Sequence, residues 1–449
     1  MDRERDRGGH DLIPRLRALW RPTPVHYASL IVGFALLLVL GRDQWFIYDD
    51  WAILHSDMDA AAWVAGHQGH WNTASTLVFQ VLRSTVGLRS YLPYLVFALL
   101  AHLAVVHLVW RLMRRAQVAP WLATGVAATV ILFGAAAENL LWAFQFGFMG
   151  AIALGLVVVV LMDRARLTTP TAIGIVAVSI VALTFSGTAL PVLAAAFVLG
   201  FIRHGWWRAL LLLAPAGVVY VAWYLAFSGG TPSSLAPHGS DFVTKVPLFI
   251  AAMFGAGYGQ YVGVVPVGAL VAIVLLIWII RRFRHWRGPE ASAYALIAGS
   301  VVFAVLTAVS RAGGELTAAG AQRYVYLIVM LALPTMALAL GWVVTRGRGA
   351  AVAVAIAVAL VGAVNVALLV GRAGEQAVIE QRVEREAAAA VDVLATEPGV
   401  ADAQLPIPDV APDLTVADLR EGADAGLVPD VAYTAEDRQA VLEALGLAG

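Results

Sequence analysis

The sequence predicts an all-α polytopic membrane protein. It has about eleven transmembrane helices, in-plane helices in its outer loops and a small C-terminal extracytoplasmic tail. Three observations carry this reading. The 449-residue chain is 60% hydrophobic and only 13% charged, about half the charge of an ordinary soluble chain. Apolar runs of roughly 17–22 residues recur from about residue 26 to residue 371, the length a helix needs to cross a hydrocarbon core of about 30 Å. The runs are continuous and rich in Ala, Leu and Val, unlike the short alternating segments of a membrane β-barrel.

The spans fall at about 26–41, 91–111, 119–137, 144–162, 170–185, 188–203, 206–227, 264–281, 290–309, 324–343 and 350–371. Residues 243–260 form one further apolar run, and the placement of positive charge decides whether it crosses. Six clusters, in the N-terminal segment 1–25 and at 111–115, 163–166, 203–208, 281–287 and 346–348, hold 6, 3, 2, 2, 4 and 2 Arg, or 19 together. If 243–260 stays in the interface, all six lie on one side. The opposite loops then keep only Arg42, Arg83, Arg89, Lys245, Arg311 and Arg323. The expectation is therefore a cell-membrane protein with a cytoplasmic N-terminus, which reads as an uncleaved anchor, and an extracytoplasmic C-terminus. Residues 243–260 become an interfacial or re-entrant helix. The organisation is a cytoplasmic segment 1–25, a transmembrane domain 26–371 with a first outer loop 42–90, and an outer tail 372–449.

Composition also excludes several chemistries. The chain has no cysteine, so disulfides and thiolate metal sites are absent. Its formal net charge is zero, which gives no case for nucleic acid. No Walker or dinucleotide-glycine pattern occurs, so a reaction here draws on neither a bound nucleotide nor a cofactor.

The first outer loop is the richest in polar chemistry. It opens with Tyr48-Asp49-Asp50-Trp51, two carboxylates between aromatics at the bilayer edge. A helix starting at Asp50 with Asp49 as its cap accounts for one of them. A carboxylate near low-dielectric surroundings makes a competent general base, and that is the role left for the pair. His67 and His70, in the run His67 to Trp71, are three apart and would share a helix face as zinc ligands do, with Asp57 and Asp59 within reach. No cysteine completes such a set, so sugar or phosphate binding, or a loop cap, is preferred to a metal. Residues 75–88 carry Leu77, Val78, Val81 and Leu82 at the spacing of a helix lying in the membrane plane.

Two later stretches add polar groups. Glu138, Asn139 and Gln145 interrupt the hairpin between spans three and four, and polar groups at that depth face an interior cavity. Arg311 ends one span and Arg323-Tyr324 opens the next. Arginine there either forks a phosphate or snorkels from a helix end. His102 and His107, inside span two, read as core histidines.

Asp49-Asp50-Trp51, His67 to Trp71 and Arg323-Tyr324 together resemble the GT-C superfamily of polytopic glycosyltransferases, in particular its actinobacterial members. The resemblance covers roughly residues 26–371. It implies transfer of a sugar, mannose or arabinose, from a polyprenyl-phosphate donor to an envelope glycan, lipid or protein acceptor on the outer face. It places Asp49 and Asp50 in catalysis, with Asp49 as the base. Trp51, His67, His70, Trp71, Glu138, Gln145, Arg311, Arg323 and Tyr324 would bind substrate, with Arg311 or Arg323 on the phosphate. Many relatives carry Asp-Glu where this chain has Asp-Asp, which leaves the sugar open. The alternatives are a lipid or solute transporter and a non-catalytic envelope assembly protein. A proton-coupled transporter would need acidic groups mid-bundle, and the spans hold none there: Glu138 borders one span and Glu290 stands at the start of another.

The tail has five Arg against sixteen acidic residues. It reads as a continuation of the last helix, a proline-broken stretch and a second helix opened by a Thr434–Asp437 capping box. It either covers the acceptor cleft or stabilises the bundle.

Overall fold

The computed structural model describes residues 21–54, 63–67, 69–228 and 234–448. Asp57, Asp59 and most of the N-terminal Arg cluster lie outside these residues. Proline in the first two positions, where its missing N–H costs nothing, opens α1 (Pro22–Gly41), α4 (Leu92–Arg115), α5 (Pro120–Ala128) and α8 (Thr169–Leu183). Between α1 and α4 lie α2 (Asp49–Leu54), a two-stranded hairpin, β1 (Gly66–His67) and β2 (His70–Trp71), and α3 (Thr73–Thr85). The bundle continues with α6 (Ala137–Leu141), α7 (Gln145–Met162), α9 (Ala189–His204), α10 (Trp206–Phe227), α11 (Asp241–Val262), α12 (Val267–Arg282), α13 (Ala291–Arg311) and α14 (Gln322–Val344). The long α15 (Arg348–Thr396) leads to α16 (Val416–Asp424) and α17 (Ala435–Ala444).

Among the described residues, eight helices are long and apolar enough to cross a membrane by length and composition; α8 and α9 are shorter apolar helices. α7 is the central post and packs against α4, α8 and α9, while α13 joins α9 to α14.

α11 is one of those eight by length, yet its flanks are tied to a single loop. The carbonyl of Leu235, just before it, accepts from Gly313 N at 2.8 Å. Gln260 Nε2, near its end, donates to Gly320 O at 2.8 Å. A helix of 22 residues is about 33 Å long. One end of a crossing helix would therefore leave the Gly313–Gly320 loop far behind.

The run 119–137 differs from expectation. Its helix stops at Ala128, and turns and a 3₁₀ segment (Gly134–Ala136) fill the rest. Irregular backbone survives at membrane depth only where protein satisfies its polar groups, and here it does. Asn365 Oδ1 accepts from Ala135 N at 3.0 Å, and Arg372 donates to Gly134 O at 2.8 Å. His102 lies 3.1 Å from Ile131 O, which gives this core histidine its task. A Cβ on Gly134 would meet Asn365 O at 2.1 Å, so α15 approaches as only glycine allows.

α3 forms where the in-plane helix is expected. Its apolar residues Leu77 and Val81 are exposed, while Ser75, Thr76, Phe79 and Gln80 are buried. That is the reverse of a soluble amphipathic helix and suits an apolar face turned to lipid.

α15, with 49 residues, is about 74 Å long, more than twice the hydrocarbon core. Its second half carries the acidic residues and stands outside the bundle. Capping boxes at Thr415–Asp418 and Thr434–Asp437 open α16 and α17. Arg385 binds Asp437 at 3.0 Å and folds α17 back onto α15.

Candidate active site

The acidic pair sits at the start of α2, and its two carboxylates part company. Successive helical residues point about 100° apart, so Asp49 and Asp50 face different surroundings. Asp50 is fully buried. Its Oδ2 accepts from Ile47 N at 3.3 Å and from Tyr91 Oη at 3.2 Å, and Tyr91 Oη in turn accepts from Ala143 N at 2.6 Å. Burial pushes the Asp50 carboxyl up to about 8, against the lowering pull of Ile47, Tyr91, Phe144 and Trp142. The Phe144 amide and Trp142 indole approach without completing bonds of normal geometry. Asp50 thus ties α2 to the 142–144 turn as a neutral acid. The expectation that Asp49 is the helix cap is corrected: the carboxyl that reaches back to a free N–H belongs to Asp50, three residues on from Ile47.

Asp49 faces the other way, onto a cavity of about 580 Å³ whose wall also carries His67, His70, Gln145, Arg311, Arg323 and Tyr324. These seven of the eleven sequence candidates come from five separate stretches of chain. The Asp49 side chain is 26% exposed, and its Oδ1 lies 3.2 Å from His67 Nε2.

The His67–His70 run is a hairpin and not a helix, because Gly69 takes φ +78 at its turn. His67 and His70 are cross-strand partners, so the register still sets both rings on one face of the ribbon. His70 is exposed on the cavity wall, and crowding by its surroundings, then Arg311 and His67, lower its pKa. Among the described residues no three His, Cys, Asp or Glu side chains gather as a metal site.

Two arginines close the outer rim. Arg323 binds Glu138 at 2.7 Å and lies over the Tyr324 ring at 5.4 Å. Among the described residues the Arg311 guanidinium has no hydrogen-bond or ion-pair partner. An arginine without a carboxylate at a cavity wall is a ready anion ligand.

Four candidates stand off the cavity. Trp51 is 2% exposed and packs on Trp45 at 5.5 Å. Trp71 stacks on Trp223 at 5.2 Å, fastening the hairpin to α10; Trp223 Nε1 also donates to Val64 O at 2.8 Å. Glu138 acts through Arg323. Asp50 acts through the turn it anchors. Trp51, Trp71 and Glu138, expected to bind substrate, are not among the residues that line this cavity.

Sequence reasoning missed Tyr220 and Tyr224 of α10 and the Ser186-Gly187-Thr188 junction, all on the cavity wall. The tyrosines are four apart near the outer end of a span, where aromatics usually mark the interface. The polar triplet between two apolar runs was the available signal for the junction. Tyr220 and Tyr224 of α10 and Phe303, Leu306 and Thr307 of α13 line one part of the cavity. α10 packs on α8 and α9, and α13 on α9 and α14. Val221 and Leu225 on one helix and Val305, Leu306 and Val309 on the other are exposed.

No protein-family model matches the chain, and no curated protein matches its sequence. Solved structures do match. The crystal structure of ArnT from Cupriavidus metallidurans bound to undecaprenyl phosphate aligns with a TM-score of 0.54 at 16% identity, over 90% of this chain and 89% of that one. The chain has the GT-C fold. The same enzyme in the apo state gives a TM-score of 0.52 at 15% identity, over the same shares. At these identities the likeness is one of fold. Within the GT-C fold, what this chain does rests on its own cavity.

Proposed function

We propose that this protein is an integral membrane glycosyltransferase that moves a sugar from a polyprenyl-phosphate donor to a hydroxyl of an envelope acceptor on the outer face. One observation carries the reading. A single cavity, lined in part by α10 and α13, holds the Asp49 carboxylate beside His67 and the Arg311 guanidinium without a carboxylate partner among the described residues. The fold shared with a protein solved with bound undecaprenyl phosphate supports it.

The isoprenoid chain lies in the bilayer along the exposed apolar residues of α10 and α13, and its phosphate meets Arg311. The acceptor hydroxyl approaches Asp49. Its oxygen forms the new bond to the anomeric carbon while the bond from that carbon to the phosphate oxygen breaks. The hydroxyl proton passes to Asp49, whose orientation His67 fixes. The departing polyprenyl phosphate keeps the electron pair as an anion beside Arg311, and Glu138 holds Arg323 at the same rim. No nucleotide or cofactor enters, because cleavage of the sugar phosphate drives the step. The donors to test first carry mannose or arabinose.

The test is transfer in proteoliposomes, with radiolabelled polyprenyl-phosphate mannose or arabinose and envelope lipid or glycan as acceptor. Wild-type protein transfers label and Asp49→Asn does not, though it inserts normally. Equal transfer by both proteins contradicts the role of Asp49. Movement of intact donor across the bilayer without cleavage favours a transporter.

A further inference from the structure

The segment that delivers the acidic pair is held from outside the bundle. Residues 44–47 form neither helix nor strand, so their backbone N–H groups need partners elsewhere. The second half of α15 and the stretch after it supply three anchors around this segment. Gln44 Nε2 donates to Ala373 O at 3.0 Å, Trp45 N to Glu380 Oε2 at 2.8 Å and Tyr48 N to Val410 O at 2.9 Å.

Two features make the middle anchor informative. Glu380 is fully buried, and among the described residues no basic side chain pairs with it. Its second oxygen accepts from Gln376 Nε2 at 2.6 Å. An isolated buried carboxyl is unfavourable, so one that remains is there for the bonds it makes. The other feature is Tyr48, directly before Asp49, which holds φ +47. A bulky side chain takes that conformation only where its surroundings impose it. Glu380 and Val410 hold the backbone at Trp45 and at Tyr48, and Trp45 also packs on Trp51 of α2.

We propose that Glu380 is a positioning residue for Asp49: by holding the Trp45 amide it fixes the turn at Tyr48 that aims the Asp49 carboxylate into the cavity. The tail is then a working part of the site and not an appendage. This rests on the reading of Asp49 as the base. A purely structural Glu380 would change the melting temperature and leave the turnover of the folded protein alone.

The experiment uses the full chain in proteoliposomes. It compares wild type, Glu380→Ala, Glu380→Gln and the milder Gln376→Ala by steady-state transfer and by hydrogen–deuterium exchange of residues 45–50. Glu380→Ala lowers kcat roughly 10- to 100-fold, since small misplacements of a reacting group cost that much. KM for the lipid donor stays within about twofold, because Arg311 is untouched. Exchange at Trp45–Asp50 speeds up while the spans stay protected. Glu380→Gln, which keeps an acceptor oxygen, restores both readouts. Gln376→Ala, which disturbs one bond, lowers kcat about 3- to 10-fold. Unchanged exchange at 45–50 in both Glu380→Ala and Gln376→Ala overturns the proposal whatever the activity. Wild-type kcat in folded Gln376→Ala or Glu380→Ala also overturns it. Absence of transfer by wild type, with faster exchange at 45–50 in the variants, leaves the anchoring intact and removes the transferase reading.

Discussion

Nε2 of His67 lies 3.2 Å from Oδ1 of Asp49 at the wall of the outer cavity. The contact joins the tip of a hairpin to the first turn of α2, and it gives the carboxylate one fixed orientation. Asp49→Asn removes the proton acceptor and keeps the shape. Transfer falls by about 10²- to 10⁴-fold, the usual contribution of a positioned base. His67→Ala leaves the base but frees it, so the loss is smaller, about tenfold. Initial rates at saturating donor separate the two.

Asp50 answers to pH through stability. Its folded pKa of about 8 lies above the ordinary carboxyl value of 3.8. Between these values the folded protein keeps a proton that the unfolded chain has released. The stabilisation from Asp50 is complete below about pH 4 and is lost as pH rises through 8, at a rate of at most ~1.4 kcal/mol per unit. Asp50→Asn flattens this slope. Thermal unfolding in detergent from pH 5 to 8 measures it. Asp50→Ala also strands the Tyr91 hydroxyl and costs about 1–3 kcal/mol at any pH.

The two rim arginines separate by substitution. Arg311→Ala removes the cation that meets the phosphate, and kcat/KM for the lipid donor falls about 10²- to 10³-fold. Glu138→Gln leaves both cations in place and loosens only Arg323, so the loss is about tenfold. An equal loss in the two variants contradicts this division of labour.

Gly187 tests the packing of the cavity wall. A Cβ there would stand 2.8 Å from His70 Nδ1 and 3.0 Å from Tyr220 Oη, and both groups would shift into the cavity. Gly187→Ala lowers kcat/KM about tenfold with little change in melting temperature.

Much of this arrangement is legible in the sequence. Charge scarcity and the length of the apolar runs predict the all-helical membrane fold. Seven of the eleven candidate residues meet on one cavity, because polar groups in so apolar a chain have few places to go. What was not legible depends on partners far away in the chain. The unwound stretch after Ala128 is apolar enough for a helix, and distant partners, Asn365, Arg372 and His102, satisfy its irregular backbone. His67 and His70 fit a helix by spacing, and the left-handed turn at Gly69 decides for a hairpin. Trp51 and Trp71 look like ligand-facing aromatics, but Trp51 is buried in the core and Trp71, half-buried, stacks on Trp223. Tyr220 and Tyr224 look like interface anchors until α10 is seen beside the cavity. The tail gives no sign in sequence that Glu380 reaches Trp45 across 335 positions.

The most direct measurement is a cryo-electron-microscopy map of the protein with bound polyprenyl phosphate in nanodiscs. The phosphate is expected beside the Arg311 guanidinium and across the cavity from Asp49, with the isoprenoid chain leaving between α10 and α13. Density for the phosphate elsewhere, with the Asp49 cavity empty of lipid, would contradict the account.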